Sequence, residues 1–106
     1  MIRMATHDDL NVLVELGTAF NDKYYGHPLK SPEVTREVIS SYLDTCVVFV
    51  SETNGTVDGA VVAMEWDDPL RDRTILVELA WYAPMSRDGV KLLQELEDYS
   101  FEHLAV

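Results

Sequence analysis

The dipeptide Asn54-Gly55 constrains this chain more than any other feature. It lies between two runs rich in β-branched and aromatic residues, Thr45 to Glu52 and Thr56 to Trp66, and such runs around an Asn-Gly turn form a β-hairpin. Asp67-Asp68-Pro69 breaks the second run, and Arg73 to Tyr82 then reads as a third, mostly apolar strand. Residues 45 to 82 are therefore expected to form a three-stranded antiparallel meander, with Val48, Val50, Val61, Ala63 and Leu79 among its buried positions.

The segments on either side have helical periodicity. Thr6-His7-Asp8-Asp9 supplies an N-cap and first-turn carboxylates, and Leu10, Leu13, Val14, Leu16, Gly17 and Phe20 recur at helical spacing, so a helix is expected from Asp8 to Phe20. Asn21 to Lys30 reads as an irregular, aromatic-rich connection. Ser31-Pro32-Glu33 starts a second helix, expected over Pro32 to Leu43. After Pro84 to Gly89, the positions of Val90, Leu92, Leu93, Leu96, Tyr99, Phe101 and Leu104 predict a last helix, with Leu93 and Leu96 buried. With Ile2 to Ala5 as a short opening strand, the order is β-α-α-β-β-β-α, an α/β fold in one domain spanning 1–106.

Composition excludes several classes of function. Eight Lys and Arg against nineteen Asp and Glu give a formal charge of -11, a surface that repels phosphate backbones, so no direct nucleic-acid binding is expected. The longest uncharged apolar runs, Cys46 to Val50 and Gly59 to Met64, fall well short of the ~20 residues that a membrane span needs. No membrane partner is expected. No export signal is read at the N-terminus, and the single cysteine, Cys46, fits a reducing compartment, so the expected location is cytoplasmic. His7, His27 and His103 share no ligand spacing, and no metal site is expected.

Three stretches resemble the N-terminal two-thirds of GNAT-type acyl-CoA N-acyltransferases. They are Ile2-Arg3-Met4-Ala5-Thr6-His7-Asp8-Asp9, Val57-Asp58-Gly59-Ala60-Val61-Val62 and Glu78-Leu79-Ala80-Trp81-Tyr82-Ala83-Pro84. The resemblance implies a GNAT-like fold, acetyl-CoA as cofactor and an acetyl group moved to an amine. It implies that Leu79, Ala80, Trp81, Tyr82 and Ala83 form the splayed strand edge that pairs with the pantetheine arm. Ser86, Arg87, Asp88, Gly89 and Val90 would hold the pyrophosphate at a helix N-terminus. Glu78 would be the catalytic carboxylate that, through water, deprotonates the amine; otherwise strand alternation turns it to solvent beside a basic group such as Arg73.

The loop departs from the family pattern, keeping one glycine, Gly89, and placing Asp88 where a pyrophosphate would sit. Family members also continue with further strands and a helix that often brings the acid for the leaving thiolate. Weak acetyl-CoA binding and poor or absent turnover are therefore expected, as is a homodimer that covers the edge of the strand around Leu76 to Tyr82. Tyr24, Tyr25, His27 and Trp66, with Glu65, Asp67 and Asp68 nearby, read either as an acceptor pocket for a basic protein or amine or as aromatics packed on the core. The competing reading is a non-catalytic acidic binding protein or inhibitor, of the kind that bacteriophages encode, docking on a basic surface of a partner protein.

Overall fold

The computed structural model describes residues 1–83 and 89–103. The expected hairpin is present: β2 (Val47–Thr53) and β3 (Thr56–Asp67) pair antiparallel around Asn54 and Gly55. Both turn residues have positive φ, 53° and 80°, the backbone that an Asn-Gly turn supplies with least strain. β1 (Ile2–Met4) pairs with β2 and β4 (Thr74–Tyr82) with β3, giving one antiparallel sheet in the order β1-β2-β3-β4.

Alternation along the strands divides the core into two layers. Val48, Val50 and Ala60 face α1 (Leu10–Tyr24) and α2 (Pro32–Thr45), and pack with Leu13, Leu16, Ile39, Tyr42 and Leu43. Val47, Phe49, Val61 and Ala63 face α3 (Gly89–His103) and pack with Leu92 and Leu96. Val50, Val61 and Leu92 are fully buried. Truncating any of them would remove apolar contacts from a packed layer.

Arg3 ties three elements together. Its Nη1 and Nη2 donate to Asp9 Oδ2 and Oδ1, both at 2.9 Å, and its Nε donates to Glu52 Oε2 at 2.8 Å. Asp9 lies in a short helical turn, His7–Asp9, that leads into α1, and its Oδ2 also accepts from the Thr6 amide at 2.8 Å. A bidentate guanidinium–carboxylate pair is among the stronger polar contacts a protein can make. It gives a physical reason for the Arg-x-Ala-Thr-x-x-Asp spacing at the start of the chain.

Several expectations need correction. α1 continues through Asn21 to Tyr24, so the irregular connection is shorter than expected. The reason is tertiary: Phe20 and Tyr24, one turn apart, pack against each other at a tilt and edge-on against Tyr82. α2 runs on to Thr45, whose hydroxyl donates to the Ser41 carbonyl, and β2 begins only at Val47. Leu79, expected in the core, is exposed, and Leu93 is half-buried, while Leu92 takes the deep position.

Arg3 holds the Asp9 carboxyl below the usual carboxylate range, by hydrogen bonding first, aided by the Thr6 amide and against the cost of burial. A folded-state pKa below the unfolded one contributes stability that is present above the unfolded pKa, about 4, and lost as pH falls through the folded value. The thermal midpoint should therefore drop as pH is lowered from about 5 towards 3. Asp9→Asn should be less stable near neutrality and show a shallower acid slope, so thermal melts of both proteins across this range check the assignment.

Candidate functional site

The register of β3 against β4 slips once. Ala60, Val61 and Val62 pair with Tyr82, Trp81 and Ala80, but Ala63 pairs with Glu78, which leaves Leu79 as an extra residue in a β-bulge. Residues two apart normally share a face, yet the bulge separates Glu78 from Ala80 and Tyr82. The register partner of Glu78, Ala63, belongs to the α3-side core, whereas Ala80 and Tyr82 face the α1 and α2 layer. Glu78 is exposed and has no ion pair with a described residue. Arg73, the basic neighbour expected for it, donates instead to Asp68 at 3.1 Å. Among the described residues, the outer edge of β4 has no strand partner.

Beside the bulge, a groove of about 410 Å³ opens between α1, α2 and β4. Tyr25, Leu29, Lys30, Val34, Val38 and Leu79 are among its lining residues. Gly17, Phe20, Ile39 and Tyr42 line both this groove and a smaller, deeper apolar cavity of about 110 Å³ that reaches Ala80 and Tyr82. The aromatic rings at the mouth form one cluster: Phe20 lies 5.1 Å from Tyr24, 5.5 Å from Tyr25 and 5.8 Å from Tyr82, between ring centres. His27 is exposed, and its carbonyl accepts from Asn21 Nδ2 at 2.6 Å, which pins the loop after Gly26 to the end of α1.

Of the residues expected to form the acceptor pocket, Tyr24 and Tyr25 both pack on Phe20, but only Tyr25 lines the groove, and His27 does not. Trp66 pairs with Ile75 further along the sheet and lines neither cavity. Asp68 is committed to the β3–β4 turn, where it accepts from the Leu70 amide and from Arg71 and Arg73. Those donors, led by the Leu70 amide, hold its carboxyl below the ordinary range. Asp67 Oδ1 accepts from the Thr74 hydroxyl. Among the described residues, no cluster of three His, Cys, Asp or Glu side chains could hold a metal.

The end of β4 and the start of α3 are joined closely. Trp81 Nε1 donates to the Gly89 carbonyl at 2.9 Å, and a Cβ on Gly89 would lie 3.3 Å from the Ala83 methyl. Beneath Ala83, a Cβ on Gly59 would lie 2.7 Å from its methyl and 2.6 Å from Ser51 Oγ. Gly59 is thus required by close approach of β4 to β3. Val90, one residue into α3, is exposed, while Ser86, Arg87 and Asp88 lie outside the described residues. Sequence reasoning missed Lys30, Val38 and Tyr42 as groove residues; the only signal was their helical or loop spacing towards Phe20.

No protein-family model matches the sequence, and no curated protein matches it. Solved structures do match the fold. A possible acetyltransferase from Clostridium difficile 630 superposes with a TM-score of 0.84 at 16% identity, covering 96% of this chain and 71% of that one. A probable acetyltransferase gives 0.83 at 21% identity, over 96% and 72%. A predicted acetyltransferase with acetyl-CoA, from Clostridium acetobutylicum, gives 0.76 at 17% identity, over 96% and 73%. The chain has the fold of the GNAT acetyltransferases, as its sequence motifs imply.

Gly59→Val should force β4 away from β3 at Ala83 and cost about 1–3 kcal/mol, as overpacking typically does. Trp81→Phe, which keeps a ring but deletes the donor to Gly89, should cost less, on the order of 0.5–1 kcal/mol. Denaturant unfolding of both variants checks the order. Equal losses would contradict this account of the junction.

Proposed function

We propose that the protein binds acetyl-CoA along the outer edge of β4 and transfers the acetyl group to an amine held in the groove. The bulge at Leu79 carries this reading, because it lies at an unpaired strand edge and contributes Leu79 to the groove wall. The fold is shared with acetyltransferases, one of them described with acetyl-CoA. Free backbone N–H and C=O groups on an edge strand suit the amides of a pantetheine arm. Leu79, Ala80, Trp81, Tyr82 and Ala83 would hold that arm, and Gly89 and Val90, with Ser86, Arg87 and Asp88, would face the pyrophosphate. Acetyl-CoA would supply the acyl group as an activated thioester.

Glu78 would take a proton from the amine through water. It lies on the other face of the sheet from the groove, so it would act across the strand edge. Asp88 and the single loop glycine oppose tight phosphate binding, which sets the expectation of low affinity and slow turnover. A homodimer is proposed with this reading, with the Thr74 to Glu78 part of the β4 edge covered by a second copy. Sedimentation as a monomer at high micromolar concentration would remove that part of the proposal.

A second reading rests on charge. Glu95, Glu97 and Asp98 on α3 are exposed, whereas Arg3, Arg71 and Arg73 are tied to carboxylates. The surface therefore suits docking on a basic partner without catalysis. Titration with acetyl-CoA and with CoA separates the two readings, since a ligand bound only by the folded state raises the thermal midpoint. The transferase reading expects a measurable shift, and acetyl transfer that falls roughly 10²-fold or more in Glu78→Gln. Absence of both, with salt-sensitive binding to a basic protein, would establish the second reading.

A further inference from the structure

The groove beside Leu79 differs from a site built for a cation. No Asp or Glu is among the described residues that line it. Its walls are aromatic and aliphatic, from Phe20, Tyr25, Leu29, Val34, Val38 and Ile39. Two of its polar side chains are already engaged: Asn21 donates to the His27 carbonyl, and the Thr35 hydroxyl donates to the Ser31 carbonyl. Among the described residues, Lys30 is the only charged one in the lining.

Lys30 stands out because of the charge balance of the whole chain. With nineteen carboxylates available for eight Lys and Arg, a lysine should readily find an acidic neighbour. Arg3, Arg71 and Arg73 do so, Arg36 donates to Asn11, and the Lys23 ammonium lies 5.4 Å from the centre of the Tyr24 ring. Among the described residues, Lys30 has no carboxylate partner. An ammonium at the rim of an apolar groove attracts an anion, and the apolar walls give the rest of such a ligand surface to cover.

We propose that this groove takes a small ligand that joins an apolar body to a carboxylate, as a hydrophobic α-amino acid does, with Lys30 holding the carboxylate. The body lies against Val34, Val38 and Phe20, and the deeper cavity beneath Gly17 accommodates a larger ring or branch. The volume of about 410 Å³ is within the range of small-molecule sites. That the ligand's amine is the acetyl acceptor rests on the transferase reading above; that the ligand binds does not. A polyamine or a lysine-rich segment would instead bring positive charge towards Lys30 and meet no lining carboxylate.

Calorimetric titration of the whole chain, without acetyl-CoA, tests this with L-phenylalanine, L-leucine, phenethylamine and spermidine. Phenethylamine keeps the ring and amine of phenylalanine but lacks the carboxylate. The two amino acids should bind, phenethylamine about tenfold more weakly than phenylalanine, and spermidine not measurably. Lys30→Gln, at an exposed position, should weaken phenylalanine by about three- to fivefold and leave phenethylamine no weaker. Val38→Glu, which places a carboxylate in the wall, should weaken phenylalanine and leave cationic phenethylamine no weaker. Binding of phenethylamine or spermidine as tightly as phenylalanine, an unchanged affinity in Lys30→Gln, or no binding of either amino acid would overturn the proposal. Amino-acid binding together with no response to acetyl-CoA would sustain it while removing the transferase reading. A response to acetyl-CoA with no amino-acid binding would do the reverse.

Discussion

The alternation of side chains along β2 and β3 is the constraint on which the other elements depend. Helices cover both faces, so a slip of one residue would exchange Val48 and Val50 for Val47 and Phe49 against α1 and α2, and every layer would be repacked. Because both faces are apolar and filled, the register in the centre is held firmly. The register still shifts in two places, between Ser51 and Glu52 near the β2–β3 turn and at Leu79 on β4, which has a strand partner on one side only among the described residues. The extra residue, Leu79, moves out to the groove wall, and Glu78 passes to the face opposite Ala80 and Tyr82. A local irregularity of one residue thus decides which chemistry stands on which side of the sheet.

Much of the fold was legible because it is specified locally. Asn54-Gly55 fixes its turn through backbone conformations that few other residues adopt, and Ser31 caps α2 by accepting from the Val34 amide within a single turn. The opening Arg-x-Ala-Thr-x-x-Asp stretch was legible as a resemblance, yet its third partner, Glu52, comes from β2 and no spacing reveals it. The features that escaped are all tertiary. α1 lengthens because Tyr82 receives Phe20 and Tyr24, Leu79 is exposed because of a pairing between strands, and Gly59 is needed because Ala83 lies on it.

The candidate site was legible only along one strand. Glu78 to Ala83 form a continuous stretch, so a motif could identify them, and the structure adds the bulge that separates their faces. The groove is assembled from α1, the loop after it, α2 and one residue of β4. Residues so scattered leave no contiguous pattern, and aromatic composition alone drew attention to Trp66, which pairs with Ile75 away from the groove. Tyr24 and Tyr25 were noticed for the same reason; both rings pack on Phe20, and Tyr25 lines the groove whereas Tyr24 does not.

Electrostatics sets the two proposed ligands under opposite local rules. A chain with a formal charge of -11 repels any anion at long range, and acetyl-CoA and an amino-acid carboxylate are both anionic at their binding ends. Long-range repulsion is screened over about 8–10 Å at ordinary ionic strength, whereas a direct contact acts within that distance. Local positive charge must therefore provide what the overall field opposes. For the carboxylate, Lys30 does so without competition from a described acidic partner. For the pyrophosphate, the N-terminal end of α3 would offer a partial positive charge, and the sequence there carries Arg87 and Lys91 as well as Asp88. If both proposals hold, the groove would meet its carboxylate with one ammonium, and the pyrophosphate would meet a helix end flanked in sequence by two cations and one carboxylate.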